Sequence, residues 1–154
     1  MVDFLIIGPY NAITYNEVFP LFKDDDVGFG WNRVVEFENG VKFGNIRWFS
    51  NISDYYPPEL VLSKRYDDGY KKFDNYDAIN IDRIKDIPGD YMGLIGVPIT
   101  FLDSYNKRQF DIVGFLNNGC RLDENGLQGN NGIQMTLVGE VCKYFRILIK
   151  RKIS

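Results

Sequence analysis

The chain has 154 residues, and 18 Lys and Arg against 21 Asp and Glu leave a net charge of -3, which excludes a generally basic nucleic-acid-binding surface but not a local basic patch. Apolar residues at 45% and aromatics at 16% are too abundant for disorder and weighted toward strands. Histidine is absent, so Ser-His-Asp and Cys-His nucleophiles, His-bearing zinc sites and imidazole acid-base catalysis are excluded for this chain alone.

The length suits one compact unit, and Cys120 and Cys142 are too few for a disulfide framework. No apolar run approaches the roughly 18 residues of a membrane span, and the first residues lack the basic-then-apolar order of a signal peptide. A soluble cytoplasmic protein with no membrane partner is expected.

Residues 2–7, VDFLII, form a continuous apolar run closed by Gly8-Pro9, the pattern of a strand buried in a parallel sheet. Thr14 with Glu17 three residues later has capping-box spacing, and Pro20 stops that helix within two turns. After Asp24-Asp25-Asp26, residues 27–37 and 41–49 are rich in aromatic and β-branched side chains on either side of Glu38-Asn39-Gly40. This predicts a long β-hairpin at 27–49 with a type I′ turn.

From 55 to 90, Pro57-Pro58, Asp67-Asp68-Gly69, Asp74-Asn75-Tyr76-Asp77 and Asp86-Ile87-Pro88-Gly89-Asp90 punctuate a loop-rich stretch. Ile79, Ile81, Ile84 and Ile87 do not decide between strand and helix. Residues 94–102 are another apolar run, with Pro98 arguing against a central strand. Residues 110–116 and 144–149 read as strands, and Asn117-Asn118-Gly119 and residues 125–132 as turns or a flexible loop. No repeat divides the chain.

The residues that carry chemistry are sparse. Gly8-Pro9-Tyr10-Asn11 follows a strand, where amino-directed DNA methyltransferases place an Asn/Asp-Pro-Pro-aromatic tetrapeptide, but the acid or amide is missing and a strand-ending turn is the better reading. Neither the dinucleotide fingerprint nor a Walker A loop occurs, and the glycines at 28–30 and 93–96 read as bulges or close packing. Asp24, Asp25 and Asp26 lack calcium-loop spacing, and Asp82, Asp86 and Asp90 are interrupted by Pro88 and Gly89, so no metal site is expected. Glu140-Val141-Cys142-Lys143 is one residue too long for a nuclease acid-x-Lys element.

The basic clusters remain: Lys64-Arg65, Lys71-Lys72, Lys107-Arg108, and Lys143, Arg146, Lys150, Arg151 and Lys152, with no acid after Glu140. Beside Tyr66, Tyr70, Phe73, Tyr76 and Tyr144 they have the composition to track phosphates and stack on unpaired bases. The plain alternative is a charged surface with a frayed basic terminus.

Several stretches together resemble one family. Leu5-Ile6-Ile7-Gly8, residues 11–21 (NAITYNEVFPL), residues 43–51 (FGNIRWFSN), residues 74–80 (DNYDAIN), residues 84–88 (IKDIP), residues 96–103 (GVPITFLD) and Arg146-Ile147-Leu148-Ile149 are similar, in order, to the later half of EcoRI-type adenine-specific DNA methyltransferases of restriction-modification systems. That family holds S-adenosylmethionine on a Rossmann-like sheet, flips adenine from the duplex and methylates its exocyclic nitrogen. Its cofactor and catalytic motifs belong to the earlier half, so the resemblance transfers no catalytic or cofactor-binding residue to this chain.

The resemblance implies a mixed, strand-rich α/β fold. Residues 1–52 would be the end of the Rossmann-like catalytic sheet and residues 53–154 a target-recognition region. It further implies double-stranded DNA as partner, engaged without turnover, and S-adenosylmethionine as cofactor of the full-length family but not of this chain. The candidate phosphate contacts are Lys64, Arg65, Lys71, Lys72, Lys107, Arg108, Lys150 and Arg151, with Asn75 or Tyr76 as base-reading or stacking groups. A missing N-terminal half, or a second copy of the chain, would cover the sheet that the first strand leaves open. The competing reading is a non-enzymatic structural or interaction module, a gene remnant or partner-binding fragment, which the charge of -3 favours.

Overall fold

The computed structural model describes residues 2–33, 36–42, 44–52, 56–116, 121–123, 126–128 and 137–153. The fold is mixed α/β and strand-rich. The chain divides into two compact units, Met1–Tyr55 and Tyr56–Ser154.

In the first unit β1 (Leu5–Pro9) leads through a 3-10 turn (Tyr10–Thr14) to α1 (Phe19–Lys23), then β2 (Gly28–Arg33) and β3 (Ile46–Ser50). The sheet order is β1-β3-β2, antiparallel throughout. Phe22 of α1 packs on Phe29 and Phe49, with ring centroids 5.0 and 5.8 Å away, and Phe29 also meets Tyr10 at 5.3 Å. The buried Arg47 lies over the Tyr10 ring at 4.5 Å. A Cβ on Gly30 would come within 2.7 Å of Trp48 Cβ, so close packing explains that glycine.

Three sequence expectations change here. The apolar run at 2–7 is neither buried nor parallel: β1 pairs with β3 on one side, and Leu5 and Ile6 are 54% and 55% exposed. An apolar run specifies a strand, but its burial depends on neighbours that the run itself does not contain. Thr14 caps no helix; its hydroxyl donates to the Asn11 carbonyl at 2.8 Å. α1 begins later, with Pro20 in its first turn, where a missing N–H breaks no helical bond. Proline therefore opens the helix and does not close it.

The third change is the turn. β2 and β3 are linked through the Glu36–Lys42 bridge and a loop in which Gly40 N–H donates to the Phe37 carbonyl at 2.8 Å and Phe37 N–H to Val41 at 3.0 Å. Gly40 alone in this loop has positive φ, +79°; Asn39 instead accepts the Val41 N–H on its Oδ1 at 3.1 Å. The result is a three-residue loop with a left-handed glycine, not a type I′ turn.

The second unit is built on a five-stranded sheet in the order β4-β5-β6-β12-β7. Its strands are β4 (Lys72–Phe73), β5 (Tyr76–Asn80), β6 (Leu94–Pro98), β7 (Phe110–Leu116) and β12 (Arg146–Arg151). β5 and β6 are parallel and the other pairs antiparallel. Two small hairpins are also described, β8 (Arg121–Asp123) with β9 (Gly126–Gln128), and β10 (Leu137–Val138) with β11 (Val141–Cys142). The turn expected at 117–119 and most of the 125–132 segment lie outside the described residues.

Ile79, Ile95, Ile149 and Ile112 stand in one register row across four strands, all buried. The other face carries Phe73, Ala78, Leu116 and Leu148 under Val138, with Tyr76 and Leu94 packed against them. A Cβ on Gly96 would sit 2.5 Å from the Phe73 ring, so this glycine too serves close approach. The isoleucines whose spacing is ambiguous divide: Ile79 is in β5, Ile84 in a 3-10 turn (Ile84–Asp86), and Ile81 and Ile87 are buried beside them.

Pro98 does not exclude a central strand. β6 is the middle strand, and Pro98 is its last residue, opposite Arg146. There the chain turns into a 3-10 helix (Ile99–Ser104), so little pairing is lost. Positive φ at two successive residues, as a type I′ turn requires, occurs at Gly139 (+56°) and Glu140 (+63°) between β10 and β11. The Asp74 carboxylate accepts both of their N–H groups, at 2.9 and 2.8 Å.

Candidate nucleic-acid interface

The basic side chains singled out above fall into two groups within the second unit. Lys64, Arg65, Lys71 and Lys72 are exposed along the segment leading into β4. Tyr66 and Tyr70 of that segment form a cluster with Tyr91, in which Tyr66 stacks on Tyr70 at 5.6 Å and meets Tyr91 at 4.5 Å. Asp90 accepts the Tyr66 N–H at 2.7 Å, and the Tyr70 hydroxyl donates to the Asp86 carbonyl at 2.9 Å. Burial, then the charges of Asp67, Asp86 and Asp90, raise the Tyr70 hydroxyl above its ordinary pKa. Lys72 is held by Asp77 at 3.3 Å, and that hydrogen bond raises its pKa. Lys72 is thus paired, while Lys64, Arg65 and Lys71 make no ion pair among the described residues, although Asp67, Asp86 and Asp90 carry negative charge beside the rings.

The second group gathers where β7 begins and β12 ends. Arg151 is opposite Phe110 and Lys150 opposite Asp111, while Lys152 N–H donates to the Gln109 carbonyl at 2.9 Å, tying the turn that holds Lys107 and Arg108 to the end of β12. Lys107 lies over the Tyr56 ring at 4.3 Å. Asp111 is engaged by Lys152 at 2.9 Å. Arg108, Lys150 and Arg151 make no ion pair among the described residues, and the buried Nε of Arg151 has no hydrogen-bond acceptor. This group carries the local excess of positive charge.

The two groups do not form one continuous row. Lys72 is opposite Ile79 and shares its face, whereas Lys150 follows Ile149 and projects from the other face. Asn75 is exposed in the β4–β5 turn, and Tyr76 is half-buried against the core. Two other basic residues of the sequence clusters have structural partners. Arg146, buried, donates to Asn80 Oδ1 at 3.0 Å, Asp82 Oδ1 at 2.8 Å and the Tyr144 and Phe145 carbonyls, and Lys143 reaches Asp82 at 3.3 Å. Partial burial pushes the Asp82 pKa up, but hydrogen bonds from Asn80, Arg146 and Lys143 outweigh it and leave the carboxyl below its ordinary range. Spacing gave no sign of Tyr91, which sits alone between glycine-rich turns.

A family model described as adenine-specific methyltransferase EcoRI matches residues 32–152. The chain belongs to the EcoRI-type adenine-specific methyltransferases. It is 36% identical to the type II methyltransferase M.EcoRI of Escherichia coli, over 97% of this chain and 50% of that protein. It is 33% identical to M.MgeORF184P of Mycoplasma genitalium, over 97% of this chain and 57% of the relative, and 33% to M.MpnI of Mycoplasma pneumoniae, over 75% and 45%. The chain therefore spans about half the length of these curated relatives. No solved structure matches it.

Methyltransferases of this family imply S-adenosylmethionine, and the carboxyl end of the parallel pair in the second unit does not fit it. In open α/β sheets a ligand sits beyond the carboxyl ends of parallel strands. The parallel pair β5 and β6 ends at Asn80 and Pro98, and Arg146 fills that end with its bonds to Asn80 and Asp82. Among the described residues, no three potential metal-ligating side chains cluster either, and no helix is long and apolar enough to cross a membrane.

Proposed function

We propose that this chain is the DNA-engaging part of an adenine-N6 methyltransferase, gripping double-stranded DNA at the end of the second unit's sheet and transferring no methyl group by itself. Family membership supplies the substrate class. The observation that carries the assignment to particular residues is the balance of charge: Arg108 and Lys150 stand without ion pairs among the described residues while Asp111 is engaged by Lys152, whereas Asp67, Asp86 and Asp90 act on the tyrosine cluster of the other group. Cations with no internal partner are available to phosphates, whereas Lys72 must first leave Asp77.

Phosphate contacts release counterions, so affinity falls with salt in proportion to their number. Titration of a labelled duplex followed by fluorescence anisotropy is expected to show steep salt dependence. Replacing Arg108→Gln and Lys150→Gln together lowers the slope by about two, since each contact contributes about 0.9. Lys71→Gln with Lys72→Gln changes it less. An unchanged slope in the first pair removes this surface from the reading.

A further inference from the structure

We propose that Gln109 is a positioning residue for DNA engagement: its side-chain amide fastens residues 56–66 as a strap, and the strap presents Lys64 and Arg65 to the same duplex that Arg108 and Lys150 grip. This rests on the proposed reading of the chain as a DNA-engaging part and adds to it a residue that carries no charge.

Residues 56–66 lie outside every helix and strand, and none of them is buried; Val61 is 93% exposed. Apolar packing therefore holds them weakly, and their backbone polar groups need partners from elsewhere. The Gln109 amide takes both polar groups of Leu60: the Leu60 N–H donates to Oε1, and Nε2 donates to the Leu60 carbonyl, each at 2.8 Å. A two-point bond of this kind is what a neighbouring strand would supply. Beside it the buried Asn106 donates from Nδ2 to the Pro57 carbonyl at 2.7 Å and accepts the Arg108 N–H on Oδ1 at 2.8 Å. The start of the strap and the backbone of Arg108 are thus fixed to one side chain.

The far end of the strap is fastened as closely. Gly89 N–H donates to the Lys64 carbonyl at 2.8 Å, and Asp90 accepts the Tyr66 N–H at 2.7 Å. A Cβ on Gly89 would come within 2.9 Å of the Leu62 carbonyl oxygen, so the strap lies this close only because glycine stands there. Both anchorages precede strands that start at one end of the sheet: β6 and β7 are each antiparallel to β12, and they begin where β12 finishes with Lys150 and Arg151. Lys64 and Arg65 are exposed and, like Arg108 and Lys150, make no ion pair among the described residues. A segment already ordered brings its cations to phosphates without the ordering cost that a loose one incurs. Supplying that order is the role assigned to Gln109.

The test compares the salt slope of duplex affinity, read by fluorescence anisotropy, in the full chain and its variants. Lys64→Gln with Arg65→Gln is expected to lower the slope by about two, at about 0.9 per contact. Gln109→Leu removes no charge, yet it is expected to lower the slope in the otherwise unsubstituted chain and to leave it unchanged once Lys64 and Arg65 are replaced, with faster hydrogen exchange at the Leu60 amide. Gly89→Ala pushes the strap from its other end and is expected to show the same dependence, so the outcome does not hang on the folding of one variant. A residue that only stabilises the fold would lower the melting temperature and leave the slope alone. An unchanged slope in Gln109→Leu and Gly89→Ala, or an equal fall with and without Lys64 and Arg65, overturns the proposal. A slope that does not respond to Arg108→Gln with Lys150→Gln defeats the functional reading itself, and the strap proposal falls with it.

Discussion

Two segments of this molecule are nearly the same peptide: Leu5-Ile6-Ile7-Gly8-Pro9 and Leu94-Ile95-Gly96-Val97-Pro98, each a strand ended by proline and followed by a 3-10 turn. One lies at the edge of a three-stranded sheet and the other at the centre of a five-stranded one. Ile6 is 55% exposed and Ile95 fully buried. Local composition made both of them strands. Burial came from the partners, with β5 and β12 on either side of β6 but β3 alone beside β1 among the described strands.

The sharpest way to break this comparison is to truncate the equivalent side chains. Ile95→Ala is expected to destabilise the second unit by about 2–5 kcal/mol. Ile6→Ala, already half in water, should cost under about 1 kcal/mol. Urea unfolding followed by amide exchange in each unit measures both, and equal costs would mean that β1 is as enclosed as β6.

A smaller effect separates the units by pH. Hydrogen bonds from the Glu140 and Gly139 backbone hold the Asp74 carboxyl below its ordinary pKa, and Asp82 is lowered by the bonds that overcome its burial. Both groups are lower in the folded chain, so the unfolded chain takes up protons first. Their stabilisation is complete above an unfolded value of about 4 and is lost as pH falls through the lower folded values. Asp74→Asn and Asp82→Asn are expected to flatten the acid limb of stability in the second unit. Emission from Trp31 and Trp48, both in the first unit, should not follow those substitutions.

The smallest expected change is a gain. Glu140 occupies a left-handed conformation at φ +63° that glycine adopts without steric cost. Glu140→Gly should therefore raise the melting temperature, by the equivalent of about 0.5–1 kcal/mol. A fall would show that the β10–β11 turn needs the Glu140 side chain.

What was legible in the sequence follows the same division. β7 spans the same residues, 110–116, that its alternation and aromatic content mark, and the hairpin strands around Asn39-Gly40 were visible because their pattern is local. The enclosure of β6 despite Pro98, the exposure of β1 and the role of Pro20 were not, since each depends on position within a sheet or helix. The basic clusters were visible as composition. Which of them has surplus charge was not, because Asp77, Asp86 and Asp90 meet the Tyr66 region only through folding, and Arg146 reads as another cation until Asn80 and Asp82 are brought beneath it.

The proposed function separates gripping DNA from holding the methyl donor. Calorimetric titration of the free chain with S-adenosylmethionine tests that separation most directly. No saturable heat is predicted; stoichiometric binding by this chain alone would contradict it.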